Sequence, residues 1–245
     1  MRLDNKTAII TGGASGMGRA EAEAFAKEGA NVVIADLNQE AAEEAAEAIR
    51  SAGGKALAVK TDVTNEQDLR NLVETTIAEH GQIDVLVNNA GIFDKYATSL
   101  ETTENQWDFI FNINVKSVFN LTNLVLPGMI ERGNGAMVNI ASVAGLVAGK
   151  GGAAYTSSKH AIIGYTKHLA ASYGKDGIKI NAICPGTIST PLIADSLKDI
   201  PADAIPVKRF GEADEVAELA TFLASDEAKF MQGAAVPIDG GFTIQ

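Results

Sequence analysis

The sequence predicts an α/β protein, with a doubly wound parallel sheet of seven strands and helices on both faces. Two observations carry this reading: short β-branched runs alternate with longer alanine-rich stretches of helical spacing, and no low-complexity linker interrupts the succession. Strand, crossover and strand in repetition build a parallel sheet, whose ligands bind beyond the carboxyl ends of its strands. With 245 residues, 46% of them hydrophobic, the chain fits one large domain or two small ones and has enough apolar residues for a sizeable core.

The elements follow in order. Strands are expected at Thr7 to Thr11, Asn31 to Ala35, Lys55 to Lys60, Asp84 to Asn88, Ala136 to Ile140, Lys179 to Ile183 and Ala235 to Ile238. Helices are expected between them at about 16 to 28, 38 to 52, 65 to 80, 104 to 131, 152 to 173 and 212 to 224. Thr64 and Asp214 are residue types suited to capping two of these, and Asp68 sits where the helix dipole favours an acid. Pro191, Pro201 and Pro206 break any long helix in the segment of about 190–210, which is expected to be mobile and to line a substrate. The loop IFDKYATSLE, Ile92 to Glu101, is the second candidate for substrate contact.

Composition excludes several classes of function. A net charge of −11 opposes nucleic acid and acidic partners by repulsion. No apolar run approaches the roughly 18 residues of a membrane span, and MRLDNKTAII lacks a secretory leader's apolar stretch. One cysteine, Cys184, excludes an internal disulfide and fits a cytoplasmic protein. His80, His160 and His168 do not stand at metal-ligand spacing, so no metal is expected. Cys184 reads as a small buried residue, and the acidic run QEAAEEAAEAIR as a solvated helix face.

Chemistry concentrates at the strand ends. In TGGASGMG, Gly12, Gly16 and Gly18 follow a buried strand and open a helix, so backbone amides can approach a pyrophosphate on the helix N-terminus. Asp36 ends VVIAD, where a carboxylate binds ribose hydroxyls and repels a 2′-phosphate; neither Ser15 nor Leu37 offers a compensating cation, so NAD is expected over NADP. In AAYTSSKH, Tyr155 and Lys159 share a helix face at i and i+4, and an ammonium there is expected to lower the phenol's pKa toward that of a working base.

TGGASGMG, Asp62-Val63, NNAG at Asn88 to Gly91, Ser142, the Tyr155/Lys159 pair and CPG at Cys184 to Gly186 occur in one order. In this the chain resembles the short-chain dehydrogenases/reductases over essentially its whole length. The resemblance implies a single Rossmann-type domain, hydride transfer between a carbonyl and a secondary alcohol, and a homotetramer. It implies that Tyr155 is the acid/base and Lys159 its partner, with Ser142 on the substrate oxygen and Asn114 holding a water to Lys159; Asn112 stands close enough to compete for that last assignment. Cofactor contacts are implied for Gly12, Ser15, Gly16, Met17 and Gly18, for Asp36 and Leu37, and for Asp62 and Val63 beside the adenine. They are implied also for Asn89, Ala90 and Gly91, with Asn88 supporting the central strands, for Pro185, Gly186 and Ile188 facing the nicotinamide, for Thr190 on the carboxamide or a phosphate, and for Tyr155 and Lys159, with Lys159 on the nicotinamide ribose. Phe111, Phe119 and Leu169 are candidates for the subunit interface.

Three functions follow as competing expectations. The first is an NAD-dependent oxidoreductase for small secondary alcohols and ketones. The second is a 3-oxoacyl-thioester reductase of the acyl-carrier-protein type, for which ASYGKDGIK offers only Lys175 offset by Asp176. The third is a catalytically silent nicotinamide-binding protein.

Overall fold

The computed structural model describes residues 1–195, 197 and 200–244. Ser196, Lys198 and Asp199, within the expected substrate segment, lie outside the described residues. One seven-stranded parallel sheet forms, in the order β3-β2-β1-β4-β5-β6-β7. Its strands are β1 (Thr7–Thr11), β2 (Asn31–Asp36), β3 (Lys55–Lys60), β4 (Val85–Asn88), β5 (Gly135–Ile140), β6 (Ile178–Pro185) and β7 (Ala235–Ile238). The helices are α1 (Gly16–Lys27), α2 (Gln39–Ser51), α3 (Glu66–His80), α4 (Glu104–Phe111), α5 (Ser117–Arg132), α6 (Ala153–Tyr173) and α7 (Ala213–Ala224).

Strand residues alternate between two cores, as a period of two requires. Ile10, Val32, Ile34 and Val138 pack with Phe25, Ala45 and Val216, under α1, α2 and α7. Ile9, Val33, Leu86 and Met137 pack with Leu69, Leu121 and Leu169, under α3, α5 and α6. A buried side-chain relay ties the middle of the sheet to α6: Asn88 Nδ2 donates to Asn139 Oδ1 at 2.8 Å, and Asn139 Nδ2 donates to Thr166 Oγ1 at 2.9 Å.

Several boundaries differ from the sequence reading, each for a physical reason. The helix expected over 104 to 131 is interrupted by a π-helical turn at Asn112–Lys116, a wide turn that re-aims side chains. Over its full 29 residues, Glu104–Arg132 is long and apolar enough to cross a membrane by length and composition alone, but Leu121, Val125, Leu126 and Met129 are buried in the core of the fold. The cap of α3 is Asn65, not Thr64; Asn65 Oδ1 accepts from Gln67 N at 2.8 Å. The cap of α7 is Glu212, which forms a capping box with Glu215, and Asp214 falls inside the first turn. Strand β6 runs on to Pro185, because Cys184 and Pro185 pair with Pro237 and Ile238. Leu169 belongs to the core, whereas Phe119 is exposed.

Helix α1 carries an unusual burial. Glu21 is fully buried three residues beyond Gly18, and neither carboxyl oxygen has a hydrogen-bond partner among the described residues. Desolvation pushes its carboxyl up from 4.5 to about 8. A raised carboxyl pKa contributes stability that is complete below 4.5 and lost as pH rises through about 8. The unfolding free energy from urea titrations is therefore expected to fall between about pH 5 and 8, by up to about 1.4 kcal/mol per pH unit. In Glu21→Leu that fall should flatten, and the variant should be the more stable at the alkaline end.

Candidate active site

Four strand ends supply the walls of a cleft of about 520 Å³ at the carboxyl edge of the sheet. From the turn after β1 come Gly12, Ser15, Gly16 and Met17; from the end of β2, Asp36 and Leu37; from the turn after β3, Asp62 and Val63. The turn after β4 adds Asn89, Ala90 and Gly91, and Thr190 closes the far side with Pro191 and Leu192. Gly18, Pro185, Gly186 and Ile188 stand outside this lining. Gly18 is buried in α1; Pro185 pairs in register with Ile238 of β7, Gly186 N donates to Ile238 O at 3.0 Å, and Ile188 is core.

The cradle is built by close approach. Gly12 adopts a left-handed φ of +63°, and a Cβ on Gly18 would overlap the Gly12 carbonyl and stand 2.5 Å from Asn89 Nδ2. Only glycine lets α1 begin so near the β1 turn, with its positive N-terminal end facing the cleft. Asn89 fastens the neighbouring strand end, donating from Nδ2 to the carbonyls of Thr11 at 2.8 Å and Gly12 at 3.1 Å. The Thr11 hydroxyl accepts from the amides of Asn89 and Ala90, both at 3.1 Å. Thr11 was not singled out in the sequence, where it reads as an ordinary strand residue. Half-buried Asp36 accepts from Ala14 N at 3.1 Å through one oxygen and from Asn38 N at 3.0 Å through the other. These features fit a dinucleotide: amides and a helix N-terminus for phosphates, and a carboxylate for ribose hydroxyls.

The other expected residues gather beside Gly91. A side chain at Gly91 would meet Asn114 Oδ1 at 3.3 Å and Lys159 Nζ at 3.6 Å. Asn114, buried on the π-helical turn, accepts from Ile92 N at 2.9 Å and donates to Ile92 O at 3.0 Å and Ser158 Oγ at 3.1 Å. Its amide is thus occupied in pinning the backbone after NNAG to α6. Asn112 faces the outer groove instead, with Phe109 and Phe119.

Lys159 Nζ is buried and donates to Ile140 O at 2.9 Å, at the end of β5. Burial lowers its pKa to about 8. Ser142, at the turn after β5, accepts from Ala144 N at 3.1 Å and faces the Tyr155 hydroxyl. The Tyr155 phenol is pushed up to about 12, chiefly by burial, with the Ser142 hydrogen bond opposing and Asp94 and Tyr96 adding to the rise. This corrects the expectation that Lys159 would depress it. The ammonium lies 5.5 Å from the phenol ring centroid, and its own hydrogen bond is spent on the sheet. Desolvation outweighs that distant charge.

Phe93, Asp94 and Tyr96 surround Tyr155 from the loop after NNAG, with the Phe93 ring edge-on to it at 5.0 Å. No local pattern marks these three for contact with a helix some 60 positions onward. Cys184 is buried beside Ser142 and Lys159, and burial raises its thiol to about 11. Among the described residues, no cluster of three or more histidines, cysteines or acids is placed to hold a metal ion.

Comparison with known proteins adds the following. The family model described as enoyl-(acyl carrier protein) reductase matches residues 12–243. A 3-oxoacyl-(acyl-carrier-protein) reductase of Thermotoga maritima is 39% identical over 247 residues, covering 100% of both chains. Cyclohexanol dehydrogenase of an Acinetobacter species is 36% identical, covering 99% of this chain and 96% of the relative. A crystal structure from Beutenbergia cavernae with NADP bound at low occupancy superposes with a TM-score of 0.94 at 33% identity, covering 99% of this chain and 98% of that one.

The close approach at Gly18 predicts that Gly18→Ala weakens nucleotide binding by about tenfold or more, the cost of forcing a methyl into packed backbone. Fluorescence titration with NADH would measure it.

Proposed function

Since the chain belongs to the short-chain dehydrogenase/reductase family and is an oxidoreductase, we propose that it uses NAD(H) to interconvert a small secondary alcohol and its ketone. The reading of a catalytically silent binding protein is set aside with that membership. The observation that carries the cofactor choice is Asp36, a carboxylate held toward the cleft by Ala14 N and Asn38 N. It favours ribose hydroxyls and repels a 2′-phosphate. Arg19, the nearest guanidinium along α1, is engaged by Glu23 at 3.0 Å and Glu44 at 3.4 Å. Lys60, exposed and in register with Asp36 on β3, is the cation that would favour NADP.

Bound in the cleft, nicotinamide nucleotide would supply the hydride acceptor or donor and, in its oxidised form, a positive charge. In alcohol oxidation, Tyr155 as phenolate removes the hydroxyl proton of the substrate. Ser142 holds the substrate oxygen by a hydrogen bond, and Lys159, fixed on Ile140 O, provides the nearest protein cation. In ketone reduction the Tyr155 phenol returns that proton to the carbonyl oxygen. Phe93, Tyr96 and Leu192 give the approach an apolar character suited to a compact substrate.

The second reading, a 3-oxoacyl-thioester reductase, is favoured by the similarity to the Thermotoga maritima enzyme. Lys175, exposed at the end of α6 beside Asp176, is a weak foothold for an acidic carrier, and the net charge of −11 opposes one. Self-association as a homotetramer is supported by the groove along α4 and α5, lined by Phe109, Phe111, Val115, Phe119 and Tyr165.

A panel of secondary alcohols, ketones and 3-oxoacyl thioesters, run with NAD(H) and NADP(H), tests the proposal. NAD(H) with small alcohols or ketones should give the higher kcat/KM, and Asp36→Ala should narrow the cofactor ratio by about tenfold, as loss of one charge contact implies. Activity confined to NADPH and acyl thioesters would overturn it. Tyr155→Phe should lower kcat by about 10²-fold or more, the usual share of a general acid/base.

A further inference from the structure

The N-terminus of α6 is capped from far away in sequence. Its cap residue, Gly152, has no side chain to offer, yet two of the first amides are satisfied: Asp94 Oδ1 accepts from Gly152 N at 2.8 Å and Oδ2 accepts from Tyr155 N at 2.9 Å. A third, Ala153 N, donates to Ala97 O at 2.9 Å. A Cβ on Gly152 would stand 2.5 Å from both Asp94 Oδ2 and Ala97 O, so the segment lies directly on the helix end. To wrap that end, Lys95 and Tyr96 take left-handed φ values of 52° and 64°, which L residues adopt at a cost. Phe93 meets the Tyr155 ring edge-on at 5.0 Å and Tyr96 at 4.9 Å. The same segment follows Ile92, which Asn114 pins on both its N–H and its carbonyl.

We propose that Asp94 is a positioning residue for Tyr155: by clamping Phe93–Ala97 onto the start of α6 it fixes the phenol against the substrate wall. The proposal rests on the reading of Tyr155 as the acid/base. The groups facing Tyr155 are Asp94 and Tyr96 from this segment, Ser142 from the turn after β5, and Lys159 from its own helix. Asp94 and Tyr96 oppose ionisation of the phenol, and Ser142 favours it. Asp94 also cancels the positive end of the α6 dipole, which would otherwise assist the phenolate. The segment therefore links the cofactor cleft, through Gly91 and Ile92, to the phenol by backbone and hydrogen bonds alone.

The test compares Asp94→Asn, Asp94→Glu and Asp94→Ala in the full-length enzyme, with Tyr155→Phe alongside. Asp94→Asn removes the charge with little change in shape. Its kcat profile for alcohol oxidation should move to lower pH by about half to one unit, and KM should rise about threefold or more as the substrate wall loosens. Asp94→Glu, which keeps the charge, should leave the profile in place. In Asp94→Ala, hydrogen exchange at the amides of Gly152 to Tyr155 should quicken. An unmoved profile in Asp94→Asn, with Tyr155→Phe inactive, would overturn the proposal while leaving the acid/base reading intact. Turnover retained in Tyr155→Phe would remove the acid/base reading and this proposal with it.

Discussion

An ammonium buried at the carboxyl edge of the sheet is the constraint around which the site is built. Lys159 Nζ sits in a low-dielectric position where burial lowers its pKa to about 8, and it donates a hydrogen bond to Ile140 O at 2.9 Å, its one such bond among the described residues. A buried cation with so few partners is costly, and the surrounding elements are arranged to keep the position defined. Strand β5 must end where its last carbonyl faces α6, and the relay from Asn88 through Asn139 to Thr166 fixes that strand against the helix. Residue 91 has little room, because a Cβ there would crowd Asn114 Oδ1 at 3.3 Å and touch Lys159 Nζ at 3.6 Å.

The same economy explains the π-helical turn. A regular helix from Glu104 to Arg132 would carry its side chains past the site on a fixed rotation; the wide turn at Asn112–Lys116 places Asn114 inward, where three hydrogen bonds join the post-β4 backbone to α6. Cofactor cleft and phenol thus share one piece of chain, Gly91 to Ala97. At one end its glycine lines the cleft, and at the other its backbone and Asp94 cap the helix that bears Tyr155.

Much of this was legible in the sequence, and what was not has a common cause. The strands could be read because alternation such as Ile9 against Ile10 reports two faces of one sheet, and the Gly-rich turn because no other residue fits at Gly18. Tyr155, Lys159 and Ser142 could be named from the motif series, and they do stand together. The π-helical turn, the cap supplied by Asp94 and the burial of Leu169 could not, since each is decided by a partner distant in sequence. The direction of the Tyr155 pKa was misjudged for the same reason: helix spacing says that Lys159 is near, but not that its hydrogen bond is committed to Ile140 and that the phenol is desolvated.

The protein alone holds Tyr155 as a neutral phenol, and a cation bound beside it lowers the pH at which its proton leaves. Ultraviolet titration of tyrosinate, recorded as wild type minus Tyr155→Phe with and without NAD⁺, measures this most directly. The phenol should titrate near 12 without NAD⁺ and about 1–3 units lower with NAD⁺ bound, the effect of one opposite charge within a few ångströms. A difference titration that is the same in both states would contradict it.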